Sequence, residues 1–234
     1  MSRPHLALLN AAHKAVDTRR NFHRELDAEI DTFHAPSGEF PEGYAYDGFV
    51  VTGSAASVYW DREWIGNLKT WVGGAIEAGL PGLGVCYGHQ LLADVLGGRV
   101  EDMGTYEIGY RTVTHDGESR LLEGVPESMT VFTTHSDRVS DPPPGAEVFA
   151  ENEYGIHGFR TGRLFGVQFH PEYDMDTAEL VTTGKADELS EKRLQAVLAD
   201  ISEENYAAAC AAKRLFDNFL DYVDEVRAER LAVD

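Results

Sequence analysis

Residues 4–9 form a short apolar run that reads as a buried first strand. Over 18–27 the apolar spacing changes to helical, with Phe22 and Leu26 at i and i+4. Residues 28–33 then alternate as a second strand, and a β-α-β opening of this kind predicts a parallel sheet. A Pro/Gly-rich loop over 35–46 leads to a strand at 48–52, which runs into the small-residue loop Gly53-Ser54-Ala55-Ala56-Ser57. Asp61 has the position of an N-cap for a helix carrying Trp64, Leu68, Trp71 and Ile76. Pro81 and Gly82 end that unit and begin another short apolar strand. Leu91, Leu92, Val95 and Leu96 then mark a helix that closes at Gly97-Gly98. Between 99 and 168 helical periodicity is absent. Alternating runs at 110–114, 129–133, 146–151, 155–159 and 164–169 predict an antiparallel portion continuing the sheet. From Asp176 the pattern is helical again, with a break at Thr182-Thr183-Gly184 and helices over 187–199 and 203–230. Tyr206, Cys210, Leu215, Phe219, Tyr222 and Val226 make one stripe, which places Cys210 in the core. Trp60, Trp64 and Trp71 read as packing residues, with a substrate-wall role for Trp60 the lesser alternative.

These periods give an α/β fold: a central, mostly parallel sheet flanked by helices, with an antiparallel extension and a C-terminal helical tail. The expected organisation is a catalytic domain over 1–175 and a helical extension over 176–234 packed on the same domain. The tail helices either cover the sheet or offer a homodimer surface; the sequence does not separate these. Hydrophobic residues make up 43% of the chain, ample for a sizeable core. No apolar run approaches the roughly 20 residues that cross a bilayer, and 5–9 is too short for a secretory signal. Two cysteines outside any disulfide pattern point to a reduced, cytoplasmic compartment. Acidic residues number 40 against 20 basic ones, a formal charge of −20. Such an acidic surface repels nucleic acid and anionic membranes, so neither is expected as a partner. Its self-repulsion is relieved at molar salt, where the Debye length is about 3 Å, and a halophilic source is therefore expected.

The candidate chemistry centres on Gly84-Val85-Cys86-Tyr87-Gly88-His89-Gln90. Gly-x-Cys-x-Gly at a strand end, followed at once by a helix, has the spacing of a nucleophile elbow with sulfur in place of the serine hydroxyl. Small neighbours are required because the apical residue is held in a strained backbone conformation. The position beside the first free N–H groups of a helix favours an anion. A thiolate nucleophile needs a base, and the base needs an orienting group. The chain has nine histidines, and one context is informative: the strand end at Phe169-His170-Pro171-Glu172. His170 and Glu172, two apart, point to the same face. Pro171 between them forbids helix. A carboxylate beside an imidazole selects its tautomer and stabilises the imidazolium. The plain alternatives are a packed cysteine and a strand-end histidine with a solvated carboxylate.

Cys86 followed by His170-Pro171-Glu172 on a parallel α/β scaffold resembles the class I, triad-type glutamine amidotransferases. Their elbow reads G-x-C-x-G-x-Q, as 84–90 does here, and their late strand carries H-P-E. The resemblance spans roughly 4–175. It implies Cys86 as nucleophile, His170 as general base and then acid, and Glu172 as its orienter. The oxyanion hole it implies is the N–H of Tyr87 with one from Gly53. Family members often have Gly-Gly-Pro where this chain has Thr52-Gly53-Ser54. It also implies substrate contacts from Ser54, Gln90, His135 and Ser136, the last two within Thr134-His135-Ser136-Asp137, and an E-x-G segment, Glu107-Ile108-Gly109, lining the site. His89 is expected to pack or cap its helix. No metal or cofactor is implied.

The implied reaction is hydrolysis of the γ-carboxamide of glutamine through a γ-glutamyl thioester, with ammonia passed to a separate synthetase subunit. The Cys-Tyr-Gly elbow is similar to that of the glutaminase of guanosine monophosphate synthetase, although the tail suggests a stand-alone member. Nothing resembles a phosphate-binding Gly-x-x-x-x-Gly-Lys loop. The rivals are a γ-glutamyl peptidase using the same triad on γ-glutamyl peptides or conjugates, and a non-catalytic pseudoenzyme that binds a partner. The protease/chaperone-like branch of the superfamily places its histidine differently. A dinucleotide fingerprint fails because the third glycine falls one position late.

Overall fold

The structure, a computed structural model, describes residues 2–13 and 15–232. Among the described residues nine strands form one sheet in the order β2-β1-β3-β4-β9-β8-β7-β5-β6. β1 (His5–Asn10), β2 (Glu29–His34), β3 (Gly48–Val51), β4 (Gly82–Val85) and β9 (Leu164–Val167) are parallel neighbours. β8 (Gly155–Thr161), β7 (Glu147–Asn152), β5 (Arg99–His115) and β6 (Ser128–Asp141) continue the sheet antiparallel. Strand 164–169, read from sequence with the antiparallel group, is antiparallel only to β8. Against β4 it is parallel, with Val85 opposite Val167.

The inner parallel strands β1, β3, β4 and β9 are buried on both faces, and their alternate residues serve different cores, while β2 at the edge is half-exposed. Leu6, Leu8, Val50, Leu83 and Phe165 face a layer made by α1 (Ala15–Glu25) and α7 (Arg214–Leu231). Ala7, Leu9, Phe49 and Val51 face α2 (Glu63–Glu77) and α3 (Tyr87–Val95). The C-terminal tail therefore covers the sheet: Leu215, Phe216, Phe219 and Val223 are fully buried in the first layer. Among the described residues no helix is long and apolar enough to cross a membrane.

Several local expectations need correction. The N-cap of α2 is Arg62 rather than Asp61, and it makes no side-chain cap bond. The helix expected over 203–230 is three pieces, α6 (Glu203–Ala209), a 3-10 turn at Cys210–Lys213, and α7. That turn breaks the helical phase, so Cys210 is only half-buried and lies outside the core. Trp60 is exposed and does not line the cleft described below. Trp71 is buried edge-on to Phe49, and Trp64 lies against Tyr87. Preceding the tail's later helices, α4 (Met175–Thr183) is capped by Asp174, whose side chain accepts from the Thr177 N–H; α5 (Glu191–Asp200) follows it.

Candidate active site

Strand order explains how residues 86 and 170 meet. β4 and β9 are parallel neighbours, so both chains leave the sheet at the same edge. Cys86 is the first residue after β4, and its N–H donates to the Val167 carbonyl at 2.8 Å. Among the described residues Cys86 alone, apart from glycines, has positive φ (φ 54°, ψ −102°). Strain of this kind costs about 1–3 kcal/mol and persists only where the surroundings enforce it. Two close approaches enforce it here. A Cβ at Gly84 would lie 2.3 Å from the Gly88 carbonyl oxygen, and one at Gly88 would lie 2.2 Å from that of Val51. The elbow therefore depends on both glycines.

α3 begins at Tyr87, so the Tyr87 N–H belongs to the first turn and has no intrahelical partner. Gly53 lies against the side chains of both Cys86 and His170: a Cβ there would sit 2.8 Å from His170 Cε1 and 3.6 Å from Cys86 Cβ. The Tyr87 ring points away into the core. Gly53, Ser54, Cys86, Gln90, His135, Ser136, His170 and Glu172 all border one cleft of about 330 Å³.

The imidazole is fixed from several directions. His170 Nδ1 is 2.9 Å from Glu172 Oε1, and the His170 backbone N–H donates to the Phe132 carbonyl at 2.8 Å. Tyr173 stacks on the ring. Arg24 on α1 donates from Nη2 to the Glu172 carbonyl at 2.6 Å and from Nη1 to Asp174 at 2.7 Å, holding the turn that carries the carboxylate. Among the described residues His170 Nε2 has no hydrogen-bond partner, while the Cys86 thiol points to the Thr134 carbonyl 3.8 Å away. Resting geometry of this kind is common before substrate binds. Burial alone would lower the His170 pKa, but the Cys86 charge and the Glu172 carboxylate outweigh it and raise the ring to about 10.

Two residues expected to touch substrate have their polar ends engaged by the protein. Gln90 Nε2 donates to the Asp137 carbonyl at 2.9 Å and to Gln168 Oε1 at 3.0 Å. The His135 ring lies between the Asp137 carbonyl and Glu107. Ser54 Oγ accepts from the Ala56 N–H, and Ser136 is half-buried at the cleft wall. Glu107 does not line the cleft; it is buried behind it. His89 packs, as expected: it is fully buried against Phe159, with Nδ1 3.2 Å from Gln168 Oε1. Sequence reasoning missed Tyr173, Arg24 and the Tyr59 hydroxyl, which donates to Asp137 at 3.1 Å. Tyr173 directly follows the His-Pro-Glu run and was within reach; nothing local marks Arg24 or Tyr59.

The family profile for Glutamine amidotransferase class-I matches residues 14–183. GMP synthase (glutamine-hydrolyzing) of Caldicellulosiruptor saccharolyticus is 37% identical over 128 residues, covering 53% of this chain and 24% of its own length. Its counterpart from Thermus thermophilus is 48% identical over 100 residues, covering 41% of this chain and 20% of its own length. The chain thus matches a quarter or less of those relatives. A glutamine amidotransferase from Thermotoga maritima superposes with a TM-score of 0.81 at 23% identity, over 94% of this chain and 100% of that one. Another, from Methylobacillus flagellatus, gives a TM-score of 0.81 at 18% identity, over 97% and 96%. The elbow geometry and the fold agree with the profile, and the chain belongs to the class-I glutamine amidotransferase family.

Proposed function

We propose that this protein hydrolyses the γ-carboxamide of glutamine, with Cys86 as nucleophile, His170 as proton carrier and Glu172 as its orienter. The observation that carries the reading is the strained Cys86 elbow on β4 beside a His170–Glu172 pair on the adjacent parallel strand. The Cys86 sulfur attacks the amide carbon, and the N–H groups of Gly53 and Tyr87 hold the oxyanion. Losing one such donor typically costs about 10²–10³ in rate. His170 Nε2–H protonates the departing nitrogen, and ammonia leaves a γ-glutamyl thioester. Nε2 then takes a proton from water, whose oxygen attacks the thioester carbon; the C–S bond breaks and glutamate is released.

The relatives named GMP synthase (glutamine-hydrolyzing) support the release of ammonia from glutamine, and passage of that ammonia to a synthetase partner is part of this reading. A second reading keeps the triad and enlarges the leaving group. The cleft extends past Tyr173 to Leu180 and Lys185, which leaves room beyond a γ-glutamyl unit for the amine of a γ-glutamyl peptide.

Rates of ammonia release from glutamine and of amine release from γ-glutamyl dipeptides, with acid-quenched mass spectrometry of the Cys86 peptide, test both. The first reading expects glutamine to be preferred and a γ-glutamyl adduct to form on Cys86. Preference for the dipeptide supports the second reading. Turnover of neither, tested in low and molar salt, overturns both.

A further inference from the structure

Behind the cleft wall lies a carboxylate that the triad does not touch. Glu107 on β5 is the cross-strand partner of His135 on β6, and both side chains are buried. Glu107 Oε2 accepts from His135 Nε2 at 2.7 Å and from His157 Nε2 at 3.1 Å, while Oε1 accepts from Asn152 Nδ2 at 2.6 Å. The other nitrogen of His135, Nδ1, donates to the Asp137 carbonyl at 2.8 Å. Gln90 donates to that same carbonyl from the elbow helix.

Both ring nitrogens of His135 therefore face oxygens that only accept, so the ring is held at both ends. Burial would raise the Glu107 carboxyl, but the hydrogen bonds from His135 and His157 outweigh it and hold it down at about 2. With an apolar group in place of the carboxylate, nothing anchors His135 Nε2, and the ring is free to turn away from the Asp137 carbonyl. The Asp137 carbonyl belongs to the 134–137 segment that walls the cleft and faces the Cys86 thiol through Thr134.

We propose that Glu107 is a positioning residue for substrate binding: acting through the His135 ring, it fixes the Asp137 carbonyl and with it the 134–137 backbone against which the substrate lies. This rests on the glutaminase reading above. It assigns His135 and Gln90 an indirect role, because their polar ends are occupied in holding one carbonyl. The chemical step, which belongs to Cys86 and His170, is left largely untouched.

Glu107→Leu keeps a similar volume and removes both anchors of the cluster. KM for glutamine is expected to rise about tenfold or more, with kcat within about threefold. His135→Leu should do the same, and glutamine affinity measured by calorimetry in a Cys86→Ala background should fall by a matching factor. His157→Leu removes the other bond to Glu107 without reaching Asp137. It should lower Tm and leave KM within about twofold, a contrast that a merely structural cluster would not produce. If Glu107→Leu does not fold, the His135 and His157 variants decide alone. An unchanged KM in Glu107→Leu or His135→Leu, or an equal rise in His157→Leu, overturns the proposal. So does one equivalent of bound divalent metal in the purified protein, since the three donor atoms lie within 4.8 Å of one another and would then be its ligands. A wild-type protein that neither binds nor turns over glutamine instead defeats the reading underneath.

Discussion

The ring of Tyr173 lies over that of His170, centroids 4.1 Å apart and planes 20° from parallel. Tyr173 in turn packs against Phe132, whose carbonyl takes the His170 N–H. The stack and the Glu172 bond together fix the tilt of the imidazole. Tyr173→Ala removes the stack and frees the ring to rotate, and kcat is expected to fall by about 10–100-fold, the scale of a small misalignment of reacting groups. Tyr173→Phe keeps the stack and should stay within about threefold of wild type. Equal kcat for the alanine variant would show that the ring needs no such support.

Gly53 gives a sharper steric test. An added methyl would stand 2.8 Å from His170 Cε1, closer than real contacts allow, so the imidazole or the loop must shift. Gly53→Ala should lower kcat/KM by about 10²-fold. The loop lies at the cleft edge, so Tm should change little. Full activity in that variant would place the reacting atoms elsewhere.

The raised His170 pKa predicts where activity fails in alkali. A histidine held above its ordinary 6.5 stays protonated through neutral pH and loses its proton as pH passes about 10. Without that proton His170 cannot protonate the departing nitrogen, so kcat/KM should fall as pH approaches 10. Glu172→Gln removes one of the charges that raise the ring, and the alkaline limb should move down by about one unit or more. A limb that stays in place would mean that Glu172 does not act on His170.

Stability should be acid-sensitive for a separate reason. Burial lowers His89 to about 3 and lowers His157 as well. Below pH 6.5 the unfolded chain takes up protons that these folded histidines refuse, so stability falls from there toward pH 3. Glu107 adds to the loss as pH drops from 4.5 toward 2, because its depressed carboxyl favours the folded state only while ionised. For His89 the effect is on the order of several kcal/mol. Denaturant melts of His89→Gln between pH 7 and 4 should show a shallower slope than wild type; identical slopes would contradict this source of the sensitivity.

Strands β1, β3 and β4 were legible because each is an apolar run closed by glycine, proline or a small-residue loop, and β2 because its residues alternate. The elbow was legible for a related reason: steric demands at Gly84 and Gly88 leave few residue choices. The His170–Glu172 pair followed from alternation about Pro171. What escaped depends on contacts between distant elements. The pairing of β9 with β4 is a matter of strand order, which local periodicity does not encode. The phase break at Cys210–Lys213 carries no proline or glycine, so 203–230 read as one helix. His135 and Gln90 look like ligands in sequence, and only the sheet register reveals that Glu107 and the Asp137 carbonyl already occupy them.

In the proposed reaction one sulfur does the chemistry. Ammonia release by Cys86→Ala at saturating glutamine, compared with wild type under the same salt and pH, tests it most directly. A fall of at least about 10³-fold, to background, is expected, with the variant still folded and still binding glutamine. Release by Cys86→Ala at a rate near that of wild type would contradict it.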